Sequence, residues 1–445
     1  LLSLRVESEV EVIMPESNLN VFADESKVGV IQADPEGRMS FQYSSSWLEN
    51  PDNYNISVSM PLTENTYAPE RAHSFFVNLL PEGPVREHVS KKLGISIDND
   101  FELLARIGGE CAGALWIGPL DPPPLAEQRY KSISKDELHD LITKAGVFSS
   151  IVGSGGVRLS LAGAQDKLPV RVEDGNVMIP EKGAPSTHIL KFPNRDFKDL
   201  PANEVFMTGL ASHLGLHVVA AQLFRVGDIE TCLVSRYDRI SDGSGVLRRL
   251  HQEDMCQAMG LPSVMKYEEE GGPSFKACFE LINKVCTEPV VEREKLLGWL
   301  IFNLLTGNSD AHGKNLALLY RADGSIGLAP FYDLVCTLSY PNIHRNMAMR
   351  IGSKSDPGRI GPRQFDILAE ECEIGAKWLR GYVLNMAELT SVAIENGLDY
   401  MKVEPSMNIR VLPTIRKQTK IIRNSFRQAA GIKPNRKVQF KYDES

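Results

Sequence analysis

The stretch that decides the fold is REKLLGWLIFNLLTGNSDAHGKNLALLY, residues 293–320. Its first half, residues 293–306, is strongly apolar at helical spacing and is followed by Gly307, a residue type that often ends helices. Asp310 and Asn315 then lie in a short polar segment, which leads into the apolar run LALLY. The pattern predicts a buried helix, a polar loop and a strand, in that order.

A second acidic position follows this loop. The turn sequence ADGS at 322–325 predicts a hairpin, after which Asp333 ends the sequence FYD. Protein-kinase-like enzymes supply a base and two metal ligands in this order: a helix, a D-x-x-x-x-N loop, a hairpin and then an Asp. Asp310 would then take the proton of an acceptor hydroxyl, while Asn315 and Asp333 offer oxygen atoms to Mg²⁺. The alternative is a capped polar loop, with Asp333 as an ordinary turn residue.

Two residues in the middle of the chain extend this hypothesis. Lys191 ends the apolar run HILK, and a lysine on such a strand can reach ATP phosphates as a point charge. Glu204, at the start of the next predicted helix, is its expected ion-pair partner. The alternatives are an edge lysine that extends to solvent and an acid that favours a helix N-terminus.

Small residues precede the first hairpin of this region, in VRLSLAGAQDK at 157–167. Backbone N–H groups of Ala162, Gly163, Ala164 and Gln165 are assigned to ATP phosphates, because small side chains allow close approach. The segment is neither a Walker A loop nor G-x-G-x-x-G, and a plain connector is an equally good interpretation.

The segment VSRYDR at 234–239 follows the last predicted strand before the helical half. A hinge of this kind presents backbone groups to adenine, with Asp238 within reach of the ribose; a salt-bridged strand end is the alternative. His312 and Lys314 lie in the loop of Asp310 and are added to the nucleotide site. His312 would either touch phosphates or hold the loop in shape, and no H-E-x-x-H or C-x-x-C spacing favours zinc.

Composition sets the broad class. The chain has 445 residues, 42% of them hydrophobic and 24% charged, which suits two or three globular domains. Seven scattered cysteines without a C-x-x-C pair favour reduced thiols and a cytoplasmic location. No apolar run is long enough to span a bilayer, so no membrane is expected among the partners. A net charge of −8 gives no overall attraction to nucleic acid, although residues 410–441 are basic. That stretch is either close to DNA or a solvated helix face.

Element patterns divide the chain into three predicted domains. Short alternating strands occupy residues 18–60, residues 71–107 look helical, and DPPP at 121–124 is the clearest linker. We therefore expect an N-terminal domain at 1–125, an N-lobe with phosphate loop and hinge at 126–240, and a helical C-lobe at 241–445. Helices in the C-lobe are predicted at 251–259, 274–286, 291–306, 363–374, 376–396 and 414–430.

Motifs across nearly the whole chain resemble those of HipA, the serine/threonine kinase toxin family of bacterial toxin–antitoxin operons. They are FVNLLPE at 76–82, SLAGAQDK at 160–167, THILK at 187–191, QEDMCQ at 252–257, KY at 266–267, GGP at 271–273, DAHGKN at 310–315 and PFYD at 330–333. The resemblance implies an α+β, two-lobed fold like that of phosphatidylinositol-3-kinase-like kinases. It adds an N-terminal α/β domain and an all-helical C-terminal lobe.

The resemblance also implies roles for single residues. Asp310 would be the catalytic base, Lys191 an ATP phosphate contact, and the backbones of Ser235 and Tyr237 the adenine hinge. Asn315 and Asp333 would hold Mg²⁺, with Asp238 and His312 close to the nucleotide. Ser160 matches the serine that the family autophosphorylates to switch off ATP binding, since its phosphate would add about −1.5 to −2 charges to the ATP cradle.

Partners follow from the same likeness. The family acts with HipB, a helix-turn-helix antitoxin, represses its own promoter through operator DNA, and has glutamyl-tRNA synthetase as its best-known substrate. Two other hypotheses stay open: a non-catalytic corepressor, and a small-molecule kinase of the aminoglycoside-phosphotransferase type. The complete set of Lys191, Asp310, Asn315 and Asp333 argues against the former. Ser160 and the N-terminal domain argue against the latter.

Overall fold

The computed structural model describes residues 18–143, 165–194, 196–241, 243, 245–395 and 405–432 of the chain. Within these ranges a four-stranded and a six-stranded antiparallel sheet precede a mostly helical half. The protein is therefore α+β, as the sequence predicts. No helix in the described ranges is both long and apolar enough to cross a bilayer.

The first sheet is built from the alternating segments near the N-terminus. Its spatial order is β3-β2-β1-β4. The strands are β1 (Asn18–Ala23), β2 (Ser26–Ala33), β3 (Met39–Tyr43) and β4 (Leu115–Gly118). In β3, Met39, Phe41 and Tyr43 are buried while the residues between them are partly or fully exposed, so the predicted half-buried pattern is confirmed.

Four helices lie in the described part of the N-terminal region, and buried residues of each join the hydrophobic core of this sheet. They are α1 (Ser45–Leu48), α2 (Pro69–Val77), α3 (Gly83–Leu93) and α4 (Asp100–Ile107). The region predicted as helical at 71–107 is thus three helices, because the chain turns twice. Gly94 ends α3 with φ of +67°, and Asn99 caps α4 by accepting from the backbone N–H of Glu102.

The second sheet carries the predicted lysine strand at its centre. Its order is β5-β7-β6-β8-β10-β9. The strands are β5 (Arg129–Ser132), β6 (Lys167–Glu173), β7 (Asn176–Glu181), β8 (His188–Lys191), β9 (Ala221–Val226) and β10 (Ile229–Ser235). The predicted hairpin between β6 and β7 is confirmed, with Asp174 and Gly175 at φ of +50° and +77°.

The two sheets share one hydrophobic core. Phe41, Phe76 and Leu103 of the N-terminal region belong to the same buried cluster as Leu168 and Leu190 of the second sheet. Helices α5 (Lys135–Thr143) and α6 (Leu200–His213) pack against β9, and α6 also against β10. The N-terminal region is therefore packed onto the second sheet. The domain boundaries at 125 and 240 stay predictions.

The C-terminal half is centred on the apolar helix of the opening stretch. Its helices are α7 (Met255–Ala258), α8 (Phe275–Val285), α9 (Pro289–Thr306), α10 (Pro362–Glu371), α11 (Ala376–Glu395), α12 (Pro405–Ile409) and α13 (Val411–Ala429). Trp299, Phe302 and Leu305 of α9 are buried, and Gly307 ends the helix with φ of +72°. The predicted buried helix and its stop are confirmed.

The expectation of an all-helical C-terminal lobe is wrong. Strands β11 (Arg239–Ser241) and β12 (Leu247–Arg249) form a hairpin, and a three-stranded sheet has the order β13-β14-β15. Its strands are β13 (His251–Asp254), β14 (Ala317–Tyr320) and β15 (Ile326–Leu328). The helix predicted at 251–259 begins as a strand, because His251 and Glu253 alternate into the core. Asp254 then caps the short α7 in a capping box with Gln257.

Candidate active site

A cleft of about 780 Å³ separates β8 and β10 from the loop that follows α9. Its lining comes from all three parts of the chain. Asn78 and Glu82 belong to the N-terminal region, Lys167 and Lys191 to the second sheet, and Asp310 and Asp333 to the helical half. The cleft is large enough for a nucleotide together with a second ligand.

Lys191 lies at the centre of the cleft between two carboxylates. Its Nζ donates to Glu204 Oε1 at 2.5 Å and to Asp333 Oδ1 at 2.6 Å. Burial would lower the pKa of Lys191, but the two carboxylates outweigh it and hold that pKa above its ordinary value. The predicted pair with Glu204 is thus present, and the edge-lysine alternative is excluded because the Lys191 side chain is only 7% exposed.

The two carboxylates differ in their surroundings. Glu204, on α6, is 1% exposed, and its Oε2 has no hydrogen-bond partner among the described residues. Burial raises the pKa of Glu204, against the attraction of Lys191. Asp333 is 37% exposed in its side chain and has φ of +59°. Burial would raise its pKa too, but Lys191 and Lys167 hold it well below the usual range, so Asp333 stays ionised.

The loop after α9 presents Asp310 to solvent. Asp310 Oδ1 accepts from the hydroxyl of Tyr267 at 2.5 Å, and its backbone carbonyl accepts from Asn315 Nδ2 at 2.9 Å. Asn308 Oδ1 accepts from the backbone N–H of Asp310 at 3.1 Å. The loop is therefore fixed by its own side chains while one carboxylate oxygen of Asp310 is left for an acceptor, as expected of a base.

Asn315 and Asp333 offer the ligand chemistry that Mg²⁺ requires. The Asn315 amide nitrogen is used in the loop, which leaves its Oδ1, and Lys191 occupies Oδ1 of Asp333, which leaves Oδ2. Clusters of three or more His, Cys, Asp or Glu side chains suited to a metal do not occur in the described part of the chain. Two oxygen ligands nonetheless fit Mg²⁺, which proteins bind through one or two side chains plus substrate phosphates.

Part of the lining of the cleft is apolar. Val219, Val234 and Ala317 line it, next to the predicted hinge residues Ser235 and Tyr237. The Tyr237 backbone N–H makes no hydrogen bond to any residue within the described ranges. An apolar slot beside an unused backbone donor suits a planar heterocycle such as adenine.

Asp238 lines the cleft, and its carboxylate is fixed by neighbouring groups. Arg236 donates to both of its carboxylate oxygens, at 2.9 and 2.7 Å, and the backbone N–H of Gly113 donates to Oδ2 at 2.8 Å. With its side chain only 3% exposed, Asp238 belongs to a buried charge cluster that also contains Glu110 and Arg239. The salt-bridged strand end is thus present, and the ribose contact stays a prediction.

Lys314 and His312 have different surroundings within the same loop. Lys314 Nζ donates to Asn78 Oδ1 at 2.7 Å and to Asp254 Oδ2 at 3.0 Å, so its charge is already paired. His312 is 6% exposed, packs edge-on against Tyr267, and has no hydrogen-bond partner at Nδ1 among the described residues. Burial lowers the pKa of His312, which favours the neutral imidazole. Both residues line the cleft, and their contacts with a nucleotide stay predictions.

Lys167 is a site residue that we did not predict. It lies opposite Lys191 across β6 and β8 and lines the cleft. Burial, followed by repulsion from Lys191, lowers the pKa of Lys167 to about 8. Its side-chain ammonium group makes no hydrogen bond or ion pair with another residue in the described part of the chain. An unpaired cation at this position suits a phosphate group. The sequence signal that could have identified Lys167 is its position at the end of AGAQDK, directly after the predicted phosphate loop.

The structure describes only the end of the predicted phosphate loop. Ser160, Ala162, Gly163 and Ala164 lie outside the described residues. Gln165 is described: it lines the cleft, and its Nε2 donates to the backbone carbonyl of Phe192 at 3.0 Å. The roles of the loop therefore stay predictions.

Comparison with known proteins gives two family matches. Residues 19–118 match the family described as HipA N-terminal domain, and residues 159–394 match the HipA-like C-terminal domain. The residues that line the cleft all lie within these two matched ranges.

Individual proteins agree with these matches. The putative kinase Y4mE of Sinorhizobium fredii is 38% identical over 386 residues, covering 86% of this chain and 92% of that protein. The serine/threonine-protein kinase toxin HipA of Shewanella oneidensis is 33% identical over 331 residues, covering 72% of this chain and 74% of that protein. The solved complex of Shewanella oneidensis HipA with HipB and its operator DNA superposes with a TM-score of 0.81 at 26% identity. It covers 94% of this chain and all of that one. The chain therefore belongs to the HipA family.

Proposed function

We propose that this chain is an ATP- and Mg²⁺-dependent serine/threonine protein kinase and the toxin of a toxin–antitoxin pair. The observation that carries the proposal is Lys191, bonded to both Glu204 and Asp333 in the cleft that Asp310 also lines. Protein kinases use this combination of a strand lysine, a helix glutamate and a metal-binding aspartate. The names of the curated relatives support the same conclusion.

The residues divide the work of phosphoryl transfer. Mg²⁺, when bound with ATP, neutralises charge on the phosphates. Lys191 and Lys167 would contact the phosphates, and the Val219–Val234 slot would hold adenine. Asp310 would accept the proton of a serine or threonine hydroxyl. At the same time the hydroxyl oxygen would bond to the γ-phosphorus of ATP, and ADP would leave. The Tyr267 contact orients Asp310 for this step.

Regulation and partners form the finer part of the proposal. Phosphorylation of Ser160 would place charge in the phosphate loop and stop ATP binding. A HipB-like antitoxin and operator DNA are the proposed partners, with the chain acting as corepressor in the cytoplasm; the solved complex of the Shewanella protein with both supports this. The acceptor is a translation-related protein, with glutamyl-tRNA synthetase the first candidate.

Mass spectrometry after incubation with ATP and Mg²⁺ tests the activity. We expect phosphate on the wild-type chain, at Ser160 in particular, and none in Asp310→Asn. Asp323→Asn is the matched control, since Asp323 is exposed in the β14–β15 turn away from the cleft. A wild-type chain that labels neither itself nor any protein of a bacterial extract would overturn the proposal. It would favour the non-catalytic corepressor.

Expression without antitoxin tests the toxin role. Wild type should arrest bacterial growth, while Asp310→Asn should not. Equal growth of the two strains, at equal protein levels, would contradict toxicity but leave the kinase activity standing.

A further inference from the structure

We propose that the N-terminal region supplies two positioning residues, Asn78 and Glu82, which hold the loop of the catalytic base through Lys314 and Lys266. This inference rests on the proposed kinase function and extends the active site beyond the two lobes. It concerns the segment NLLPE at 78–82, which connects α2 to α3 and reaches into the cleft.

Asn78 holds one end of the loop. It is 1% exposed, and its Nδ2 donates to the backbone carbonyls of Ser74 at 2.7 Å and Leu261 at 2.9 Å. These bonds fix the amide, so that both its Oδ1 and its backbone carbonyl accept from Lys314 Nζ, at 2.7 and 3.1 Å. Lys314 directly precedes Asn315, one of the two proposed metal ligands. A shift of Lys314 would therefore move a ligand.

Glu82 holds the other side of the loop. Its Oε2 accepts from Lys266 Nζ at 2.8 Å, and its Oε1 lies 3.7 Å from Lys314 Nζ. Burial would raise the pKa of Glu82, but Lys314 and Lys266 hold it below its ordinary value, so the carboxylate stays charged. One carboxylate thus faces both lysines that border the loop.

Lys266 and Tyr267 transmit this contact to the base. The Lys266 carbonyl accepts from the backbone N–H of Gly313 at 3.2 Å, within the loop itself. Tyr267, the next residue, donates to Asp310 Oδ1 and packs its ring against His312. Glu82 is therefore linked to Asp310 through two side-chain hydrogen bonds and the peptide unit between Lys266 and Tyr267. A base with one oxygen held in this way directs the other at the acceptor.

A purely structural tie would behave differently from a positioning one. Loss of a structural tie lowers the stability of the whole chain, whereas loss of a positioning tie lowers kcat, leaves KM for ATP unchanged, and loosens the loop alone. Glu82 lines the cleft with a side chain 17% exposed, so its loss opens no apolar core. The two roles are separable by experiment.

The variants are Glu82→Gln, Lys266→Met and their combination, with Glu87→Gln as control. Glu87 lies on α3, the helix that begins directly after Glu82; it is exposed and does not line the cleft. Two measurements are made on the full chain: the rate of labelling at saturating ATP and Mg²⁺, and amide hydrogen exchange of residues 307–316. The second does not depend on activity.

We expect Glu82→Gln to label about tenfold more slowly, with KM for ATP changed by less than about twofold. Exchange of residues 307–316 should be about tenfold faster, with the rest of the chain unchanged. The double variant should be no slower than Glu82→Gln alone, since the loss of Glu82 already breaks the contact that Lys266→Met removes. Glu87→Gln should match wild type.

Unchanged loop exchange in Glu82→Gln, or a rise in KM for ATP at constant kcat, would overturn the inference. Failure of the kinase proposal is a different result, because a wild-type chain that transfers no phosphate still shows whether Glu82 protects the loop. A uniform increase in exchange throughout the chain would identify Glu82 as a structural residue only.

Discussion

Replacing Lys191 by methionine removes a buried cation that two carboxylates share, and the structure gives the size of the effect. Asp333, with its side chain 37% exposed, can be solvated after the loss and contributes little. Glu204 is 1% exposed and cannot. Leaving one partner of a buried ion pair without its counter-charge costs about 3–5 kcal/mol. We therefore expect most of the destabilisation to come from Glu204.

Protonation of Glu204 sets an upper limit to that loss. Neutralising a carboxyl of ordinary pKa at pH 7 costs about 4 kcal/mol, and at pH 5 about 1 kcal/mol. Without Lys191, the pKa of Glu204 in the folded state rises further above its unfolded value. The stabilising effect of the bound proton is then full below the unfolded pKa and is lost as the pH rises through the folded pKa. Lys191→Met should thus be destabilised by about 3–4 kcal/mol at pH 7 and about 1 kcal/mol at pH 5.

Urea unfolding at both pH values, followed by circular dichroism, measures this difference. Lys191→Met/Glu204→Gln should regain most of the lost stability, because Glu204 is no longer a buried carboxylate without its counter-charge, yet remain inactive in labelling. Lys131→Met, on the exposed edge strand β5 of the same sheet, should unfold like wild type. Equal destabilisation of Lys191→Met at pH 5 and pH 7, or no recovery in the double variant, would refute the assignment of a buried charge pair.

Three further substitutions test the surrounding fold by urea unfolding. Burial raises the pKa of Glu253 to about 7, so the stability that its bound proton provides is lost as the pH rises from about 4.5 to 7. Glu253→Gln should remove this pH dependence of the unfolding free energy, which amounts to a change on the order of 3 kcal/mol over that range. An unchanged pH dependence in the variant would contradict the assignment to Glu253. Gly183→Ala should destabilise by about 1–3 kcal/mol, because φ is +79° and the added Cβ would lie 2.4 Å from Trp116 Nε1; wild-type stability would show that the turn adapts. Phe302→Ala, within the fully buried face of α9, should cost about 3–5 kcal/mol, and a loss below about 1 kcal/mol would contradict the packing.

Local sequence patterns predicted what depends on neighbours in the chain. The apolar period and Gly307 were sufficient for α9 and its end, and D-x-x-x-x-N spacing was sufficient for the loop of Asp310. The Lys191–Glu204 pair was also predictable, since a strand lysine and a helix-start glutamate lie only 13 residues apart. Short separations constrain where side chains can go.

Contacts between distant segments were not predictable in this way. Lys314 is paired with Asn78, 236 residues away, and Asp238 with the backbone of Gly113, 125 residues away. From sequence alone both appear free to meet a ligand. The strand His251–Asp254 was likewise missed, because its pairing with β14 is set by tertiary packing rather than by its own residues.

The core shared by the N-terminal region and the second sheet has a consequence for any attempt to divide the chain. A cut within DPPP at 121–124 would give two fragments with complementary apolar faces and unmatched charges, Glu110 on one and Arg236 and Arg239 on the other. Neither fragment would behave as an independent domain. Produced together, they should associate as obligate subunits of a heterodimer. In the intact chain, a short linker gives one half an effective concentration of about a millimolar around the other. After the cut, association would depend on the actual concentrations of the two fragments.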